Sequence, residues 1–218
     1  MSQVLEDIQQ YGWGFAAAAW TVLLITLATI VLSWACGLAA VLGRRSALAP
    51  LRGICAFYVW FTRGTPALIQ VFIVYFGLPQ LGVHLDPFVA GVVALGLNSG
   101  AYVAEIIRSG LLAVPLGQME SAQALGMRQS ETMRRIILPQ VFRVALPSMT
   151  NEAIAILKNT SLLSTITVVD VTLYAETIIS TTFRPFQFYI AASLIYLVLT
   201  SLLTRFSAWL ERRQAVYG

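Results

Sequence analysis

Charged residues are scarce in this chain: aspartate, glutamate, lysine and arginine make up 11% of its 218 residues, whereas 58% are hydrophobic. The mean hydropathy of +0.76 lies far outside the usual range for a soluble core. This shortage of charge disfavours an ordinary soluble protein. It predicts a membrane-inserted chain that forms a single domain over residues 1–218.

Cysteine and histidine are almost absent, which removes several classes of site. Cys36 and Cys55 match neither a CxxC pair nor a disulfide framework, so we expect two inert thiols and no metal site. His84 is the only histidine and is expected to be solvated in a loop. No GxxxxGK[ST] phosphate loop occurs, so any ATP hydrolysis linked to this chain must be done by a partner. Basic residues do not cluster with aromatic ones, which disfavours nucleic-acid binding.

Long hydrophobic runs are what the chain does have. A membrane-spanning helix needs about 20 apolar residues. Four runs carry no formal charge: residues 8–43, 64–85, 88–104 and 185–204. A fifth, residues 151–169, is interrupted only by Glu152 and Lys158. The pattern predicts an all-α integral membrane protein with five transmembrane helices. Their expected bounds are about residues 14–43, 54–80, 87–109, 149–170 and 186–208.

The second predicted helix contains a break. Thr65 suits an N-cap and Pro66 the first helical position, so we expect a helix that begins near Ile54 and is kinked at this point.

Basic residues are distributed unevenly over the predicted loops. Arginines follow the first helix, fill the segment between the third and fourth helices, and close the fifth, whereas the opposite side carries only Arg184. The positive-inside bias then predicts an external N-terminus and an internal C-terminus. Glu6 and Asp7, with no basic residue before the first apolar run, are unlike a cleaved signal peptide, so the first helix is expected to be retained. Asp170, Glu176 and Arg184 are expected to be solvated charges of an outer loop.

Polar residues line one side of the third predicted helix. Asn98, Tyr102, Glu105 and Ser109 recur at steps of four, three and four, and they fall within about 60° of arc at 100° per residue. Because polar atoms are costly in hydrocarbon, this stripe should face protein or water.

The fourth predicted helix carries a similar stripe that includes Lys158, the only lysine. An ammonium near mid-membrane needs a carboxylate, a carbonyl cluster or water, and Glu105 and Glu152 are the candidate partners. Two interpretations stay open: a structural ion pair between helices, or a charge beside a substrate route. The stripe consists of Asn151, Lys158, Ser161 and Thr165, with Glu152 and Asn159 in a second line beside it.

The polar segment over residues 112–145 contains two short amphipathic helices. The first is predicted over residues 116–125 and ends at Gly126, which suits a left-handed position after a helix. The second is predicted over residues 130–138 and exposes Glu131, which can pair with an arginine three or four positions later. An interfacial helix on anionic lipid is one explanation, but the small residues favour a site where another protein docks. The predicted apolar sides are Met119, Ala122 and Leu125 in the first helix, and Met133, Ile136 and Ile137 in the second.

The same segment resembles the EAA loop of ABC importer permeases, whose pattern is EAA, three residues, G, nine residues and I-x-LP. The matching residues are Glu120-Ser121-Ala122, Gly126, Ile136 and Leu138-Pro139. Two positions depart from the pattern: Ser121 replaces the second alanine, and Arg128 stands where Ser or Thr often caps the second helix, with Ser130 as the alternative cap. Other stretches are similar to motifs of the polar amino-acid uptake permeases, the group with histidine, glutamine and arginine importers. They are Arg63-Gly64-Thr65-Pro66, Ser99-Gly100-Ala101-Tyr102 with Glu105 and Arg108, Ala113-Val114-Pro115-x-Gly117, and Lys158-Asn159-Thr160-Ser161-Leu162.

The resemblance implies a type I ABC importer permease in the bacterial inner membrane, with no catalytic residue, metal or cofactor of its own. Implied partners are a second permease subunit, identical or homologous, two ATPase subunits that hold ATP and Mg, and an external solute-binding protein that delivers a polar amino acid. The implied ATPase-coupling residues are Glu120, Ser121, Ala122, Leu125 and Gly126. The expected substrate pathway comprises Asn98, Tyr102, Glu105, Lys158, Asn159 and Ser161.

Two other classes of function are compatible with parts of this sequence. An intramembrane hydrolase would use Ser99 with a base such as His84 or Lys158, but no acid–base arrangement is visible. A channel or secondary transporter would also need polar stripes. Purification of the chain discriminates between these classes. ATPase subunits that co-purify by binding to the segment 120–126 would favour the importer.

Overall fold

The structure is a computed structural model that describes residues 2–215 and is helical over most of that range, which confirms the predicted all-α class. A π-helical turn extends α3, another joins α6 to α7, and 3-10 turns occupy residues 78–81 and 160–166. Along these residues the chain forms nine α-helices: α1 (Ser2–Arg44), α2 (Ala49–Gly64), α3 (Ala67–Phe72), α4 (Pro87–Ala113), α5 (Leu116–Ala124), α6 (Gln129–Thr132), α7 (Leu138–Asn159), α8 (Val171–Thr182) and α9 (Pro185–Ala215).

Several helices are long and apolar enough to cross a membrane. Single candidates are Glu6–Arg44, Pro87–Ala113 and Pro185–Arg213. Two bent pairs also qualify: Ala49–Gly64 with Ala67–Leu81, bent by 117°, and Gln129–Ile166 with Val171–Thr182, bent by 45°. By length and composition, the part of the chain that the structure describes has 3 candidate spans, or up to 5 if each bent pair is one span. The predicted five is the upper end of that range.

α1 and α4 pack side by side through glycines, which allow close approach of their backbones. A Cβ added at Gly100 would lie 2.7 Å from Cys36 Cβ and 3.3 Å from the Ser33 carbonyl oxygen. A Cβ added at Gly96 would meet Leu32 in the same way. Because later residues of α1 meet later residues of α4, the two helices run in the same direction. Their C-terminal ends therefore lie together.

Replacing Gly100 with leucine is expected to destabilise the fold, because the new side chain collides with the backbone of α1 as well as with side chains. Overpacking of this kind costs about 1–3 kcal/mol. Thermal melting of the purified full chain in detergent measures the effect. Gly53→Leu is the matched control, since nothing lies within 4 Å of a Cβ added at Gly53. Equal melting temperatures for the two variants would contradict this account of the α1–α4 packing.

The second predicted helix is interrupted more sharply than a kink. α2 already begins at Ala49 and ends at Gly64. Pro66, rather than Thr65, is the N-cap of α3, and Ala67 is its first residue. The Thr65 hydroxyl donates to the Phe61 carbonyl at 2.9 Å, so this side chain completes the end of α2 instead of starting α3.

The fourth predicted helix also differs from expectation. A continuous helical run extends from Gln129 to Ile166. The short helix predicted over residues 130–138 is therefore not separate but forms the first part of this run, which continues into α7. A π turn at Met133–Ile137 ends two residues before Pro139, whose ring and missing N–H disturb the regular hydrogen-bond ladder. Arg128, not Ser130, is the N-cap of α6, and it makes no side-chain cap hydrogen bond.

The expected outer loop over residues 170–185 is largely helix α8. The Asp170 side chain starts it by accepting a hydrogen bond from the Leu173 backbone N–H at 2.8 Å, as an N-cap does. Phe183, at φ 56°, ends it in the left-handed conformation. α8 packs on α1 and α9 around a buried apolar cluster that includes Val22 and Ala175.

Candidate functional site

The predicted polar stripe of α4 begins in a buried network. Asn98 is 5% exposed, and its Nδ2 donates to Gln70 Oε1 at 3.1 Å. Gln70 Nε2 donates in turn to the Thr62 carbonyl at 2.8 Å and to the Thr65 hydroxyl at 2.7 Å. Asn98 therefore ties α4 to the break between α2 and α3. Gln70 was missed from sequence, where its only signal was a lone amide in the apolar run 67–76.

Further along the stripe, Glu105 pairs with three arginines. Glu105 Oε1 accepts from Arg44 Nη1 at 2.5 Å, and Oε2 accepts from Arg108 Nε at 2.8 Å. Arg63 Nη1 lies 3.7 Å from Oε2, and its guanidinium carbon lies 5.6 Å from the Tyr102 ring centroid. Arg44 reaches Glu105 because α1 and α4 run in the same direction. These four charged residues, called the Arg–Glu cluster below, comprise three positive charges and one negative charge.

Lys158 pairs with neither candidate carboxylate, which disfavours the first of its two interpretations, a structural ion pair between helices. In the part of the chain that the structure describes, neither Glu105 nor Glu152 has an oxygen within the 4.0 Å ion-pair limit of the Lys158 ammonium. Lys158 is exposed, as are Asn151 and Thr165, which lie seven residues before and after it. Asn151 and Lys158 share one side of α7, because seven residues make nearly two helical turns, and the exposed Thr165 follows in the 3-10 turn 160–166. Together these three exposed residues make up the polar line. Such a line must meet water or another protein, because lipid cannot solvate it.

Two cavities meet at the contact between Arg63, Tyr102 and Glu105. The arginine cavity, about 700 Å³, lies between α2 and the Arg–Glu cluster. The α4–α7 cavity, about 440 Å³, also contains Ser148 and Glu152 of α7. Ser148 was missed from sequence, where it gave no signal apart from its position one turn before Glu152.

The remaining predicted pathway residues, Asn159 and Ser161, lie at the end of α7 and in the 3-10 turn that follows it. Asn159 is half-buried and lies seven residues after Glu152, so it continues the side of α7 that faces the cavity. Ser161 is also half-buried, and its hydroxyl donates to the Lys158 carbonyl at 2.8 Å. Tyr102 and Glu105 line the α4–α7 cavity with Glu152, whereas Asn159 and Lys158 lie outside its lining.

The predicted docking helix forms an elbow, defined as residues 116–127. Its geometry at the bend is confirmed: Gly126 has φ 78°, its N–H donates to the Gln123 carbonyl at 2.9 Å, and the Met127 N–H donates to the Ala122 carbonyl at 3.1 Å. These two bonds make a Schellman motif, which closes a helix rigidly.

The two sides of the elbow differ from the predicted arrangement. Ala122 is 1% exposed, so its side chain packs against this chain and is not available at the surface. Leu125, predicted to lie on the same apolar side, is 81% exposed, and Leu116 is 80% exposed. Leu125 is the C-cap of α5. Glu120, Ser121 and Gly126 are exposed.

The helical run behind the elbow carries one predicted ion pair. Arg135 Nη1 contacts Glu131 Oε1 at 2.9 Å across one helical turn. Ile137 is buried, whereas Met133 and Ile136 are half-buried, so the predicted apolar side does face the protein.

Two of the three charges assigned to a solvated loop are structural, which corrects the prediction. Asp170 is fully buried, and the Tyr196 hydroxyl donates to its Oδ2 at 2.9 Å. Arg184 donates to both carboxylate oxygens of Asp7, at 3.0 and 2.7 Å, and this hydrogen bonding raises the pKa of the Arg184 guanidinium. These contacts hold α8 and α9 to each other and to α1. Glu176 is exposed.

The residues considered for a hydrolase do not form a reactive group. Ser99 is 2% exposed, whereas His84 is exposed in the segment between the 3-10 turn and α4. Lys158 is exposed on α7. A nucleophilic serine needs a base within hydrogen-bond reach, and neither candidate base is among the hydrogen-bond partners of Ser99.

Comparison with known proteins gives consistent matches. A model of the family described as "Binding-protein-dependent transport system inner membrane component" matches residues 35–216. The L-cystine transport system permease protein TcyB of Bacillus subtilis (strain 168) is 39% identical over 190 residues, covering 87% of this chain and 81% of that protein. The probable glutamine ABC transporter permease protein GlnM of the same organism is 36% identical over 213 residues, covering 98% and 97%. The crystal structure of an amino acid ABC transporter with histidines matches with a TM-score of 0.90 and 38% identity, covering 95% and 97%.

These matches confirm the resemblance that the EAA-like segment and its companion motifs predicted. The relatives are permease subunits of transport systems, in agreement with a transport subunit and not an enzyme. The chain belongs to the family of binding-protein-dependent transport system inner membrane components.

Proposed function

We propose that this chain is the permease subunit of an ATP-driven importer, and that it translocates a polar amino acid delivered by an external solute-binding protein. The names of TcyB and GlnM, and that of the matching amino acid transporter, support this substrate class. The single observation that carries the proposal is the elbow. A short helix is closed rigidly at Gly126 and held to the chain by Ala122, and it exposes two large apolar side chains, Leu116 and Leu125.

The elbow is proposed as the coupling element. Exposed leucines next to a rigid bend suit insertion into a partner's groove, and Glu120, Ser121, Leu125 and Gly126 form the contact surface. Ala122 does not contact the partner. Its small buried side chain lets α5 pack closely against the start of the α6–α7 run. Two ATPase subunits, which bind ATP with Mg, each receive one elbow. Closure of the ATPase pair then moves the elbows and, through α6 and α7, the membrane helices.

The proposed topology has five spans, with each bent pair counted as one. The N-terminus is external and the C-terminus internal, as the arginine distribution favours. This orientation places the elbow and the Arg–Glu cluster on the cytoplasmic side of a bacterial inner membrane. It places the Arg184–Asp7 contact on the external side, where the solute-binding protein docks.

The substrate pathway is proposed along the polar side of α4 and α7. Alternating access exposes this side first to the outside and then to the cytoplasm. Tyr102, Asn159 and Ser161 line it, and Lys158 is the cation available to a substrate carboxylate. Glu105, considered from sequence as the amine partner, is already occupied by three arginines. Glu152 in the α4–α7 cavity is the carboxylate that remains, while Asn98 positions the α2–α3 break against α4.

A second permease subunit, identical or homologous, is proposed to cover the exposed polar line. Asn151, Lys158 and Thr165 cannot face lipid at low cost. A two-subunit arrangement places this line at a shared central route.

Reconstitution tests the proposal. Proteoliposomes that contain the permease with its ATPase and solute-binding protein are expected to accumulate a polar amino acid only when ATP is supplied on the elbow side. Binding measurements on the solute-binding protein with a panel of amino acids identify the substrate. Uptake that needs neither ATPase nor ATP would contradict the importer and favour the channel or secondary transporter.

Lys158→Ala is expected to lower uptake about 10- to 100-fold, because a hydrogen bond to a charged group contributes about 1.5–3 kcal/mol. Radiolabelled uptake and bound-substrate assays measure the loss. Arg143→Ala is the control, since Arg143 is an exposed cation on the same helix, outside the two cavities. Unchanged uptake and selectivity in Lys158→Ala and Asn98→Ala would remove both residues from the route.

A further inference from the structure

The Arg–Glu cluster has more positive charge than its carboxylate balances. Arg44, Arg63 and Arg108 surround Glu105, which is the one carboxylate within 4.0 Å of them among the described residues. Their side chains are 33%, 44% and 46% exposed, whereas that of Glu105 is 17% exposed. Each guanidinium therefore keeps N–H donors that Glu105 does not use. All three line the arginine cavity of about 700 Å³.

The opposite wall of this cavity is apolar and continues onto a surface rich in aromatic side chains. Ala56, Val59 and Trp60 of α2 line the cavity. Trp60 is 71% exposed, and Phe57 beside it is 60% exposed, with 5.7 Å between their ring centroids. Exposed aromatic rings of this kind mark the interface between hydrocarbon and headgroups. The cavity thus joins an anion-binding wall to a lipid-facing surface.

We propose that the arginine cavity binds the headgroup of an anionic phospholipid. The phosphodiester lies against Arg44, Arg63 and Arg108, and the acyl chains run along Phe57 and Trp60. Guanidinium groups match phosphate oxygens with paired, charge-assisted hydrogen bonds. Basic pockets between membrane helices on the cytoplasmic side are suited to such headgroups. A free phosphate would use the arginines but not the aromatic surface, which is why a lipid fits the whole site.

This site rests on the proposed topology, which places the Arg–Glu cluster on the cytoplasmic side, but not on the proposed substrate or on the coupling role of the elbow. The bound lipid would brace α1, α2 and α4 where their arginines converge. It would also neutralise the surplus charge beside the break between α2 and α3.

Lipid retention tests the proposal. The full chain is placed in nanodiscs with equal amounts of phosphatidylglycerol and phosphatidylcholine, then released for native mass spectrometry. Retained phosphatidylglycerol is expected to exceed phosphatidylcholine, and Arg44→Gln and Arg108→Gln should each reduce that preference about fivefold. Arg108→Lys, which keeps the charge, should retain most of it. Arg135→Gln is the control, because Arg135 is 72% exposed and lies outside the cavity.

Several outcomes would overturn the proposal. Equal retention of both lipids would do so, as would a preference for phosphatidylglycerol that both arginine variants leave unchanged. Displacement of the lipid by millimolar inorganic phosphate or glycerol 3-phosphate would show that a small anion, not a lipid, is the ligand. If Arg44→Gln fails to fold, the comparison of Arg108→Gln with Arg108→Lys still decides, because Arg108 is the most exposed of the three arginines.

Discussion

Leu125→Asp is expected to abolish coupled uptake while leaving the chain folded. Leu125 is 81% exposed, so an aspartate there costs the isolated chain little. In the assembled importer the same position would be buried in the ATPase groove, where an unpaired carboxylate is costly to desolvate. Loss of a docking hot spot costs about 2–4 kcal/mol, which corresponds to a decrease of about 30-fold or more in ATPase affinity. Co-purification of the ATPase and ATP-driven uptake measure the effect.

Leu48→Asp is the matched control for this variant. Leu48 is 66% exposed and precedes α2, so it lies on the same proposed side of the membrane but outside the elbow. It is expected to retain ATPase binding and uptake. If the Leu125→Asp chain binds the ATPase and transports as well as the Leu48→Asp chain does, the elbow is not the coupling element.

Glu105→Gln is expected to lower the stability of the chain. It leaves three guanidinium groups facing one another without a counter-charge. Breaking a buried ion pair costs about 3–5 kcal/mol, and the partial exposure of the arginines reduces this here to about 1–3 kcal/mol. The melting temperature should fall by about 2–10 °C. Thermal melting in phosphatidylcholine nanodiscs measures the decrease.

Two further measurements of thermal stability serve as controls for Glu105→Gln. Glu131→Gln removes the partner of Arg135, which is 72% exposed, and is expected to change stability by less than about 1 kcal/mol. Phosphatidylglycerol should restore part of the stability of Glu105→Gln if an anionic headgroup approaches the same arginines. Equal melting temperatures for the two glutamine variants would show that Glu105 does not neutralise the cluster.

The elbow was predictable from sequence because its signals are local. Gly126 takes the left-handed conformation that the end of a short helix requires, and the Glu131–Arg135 contact follows from helical spacing alone. Each depends on residues within one or two turns of each other. The one error there concerns sides: Ala122 faces inward and Leu125 outward, because packing against the following helix determines which side of α5 is covered.

The long-range charged contacts were not predictable in the same way, because they join residues far apart in the chain. Glu105 pairs with Arg44 across 61 positions, and Arg184 pairs with Asp7 across 177. Helical periodicity placed Glu105 and Lys158 on polar stripes, but it contains no information on which helix lies opposite. Lys158 had two plausible carboxylates in sequence and reached neither in the structure.

The sequence by itself determined that this is a helical membrane chain with a polar elbow, because hydropathy, glycine position and helical spacing act over short distances. It also contained the motifs that identify the family. Only the tertiary structure decided that three arginines share Glu105, that Asp170 is buried, and that Lys158 lies on an exposed polar line. The physical reason is that these outcomes depend on the direction and rotation of helices relative to one another, which packing between distant parts of the chain establishes and no local pattern encodes.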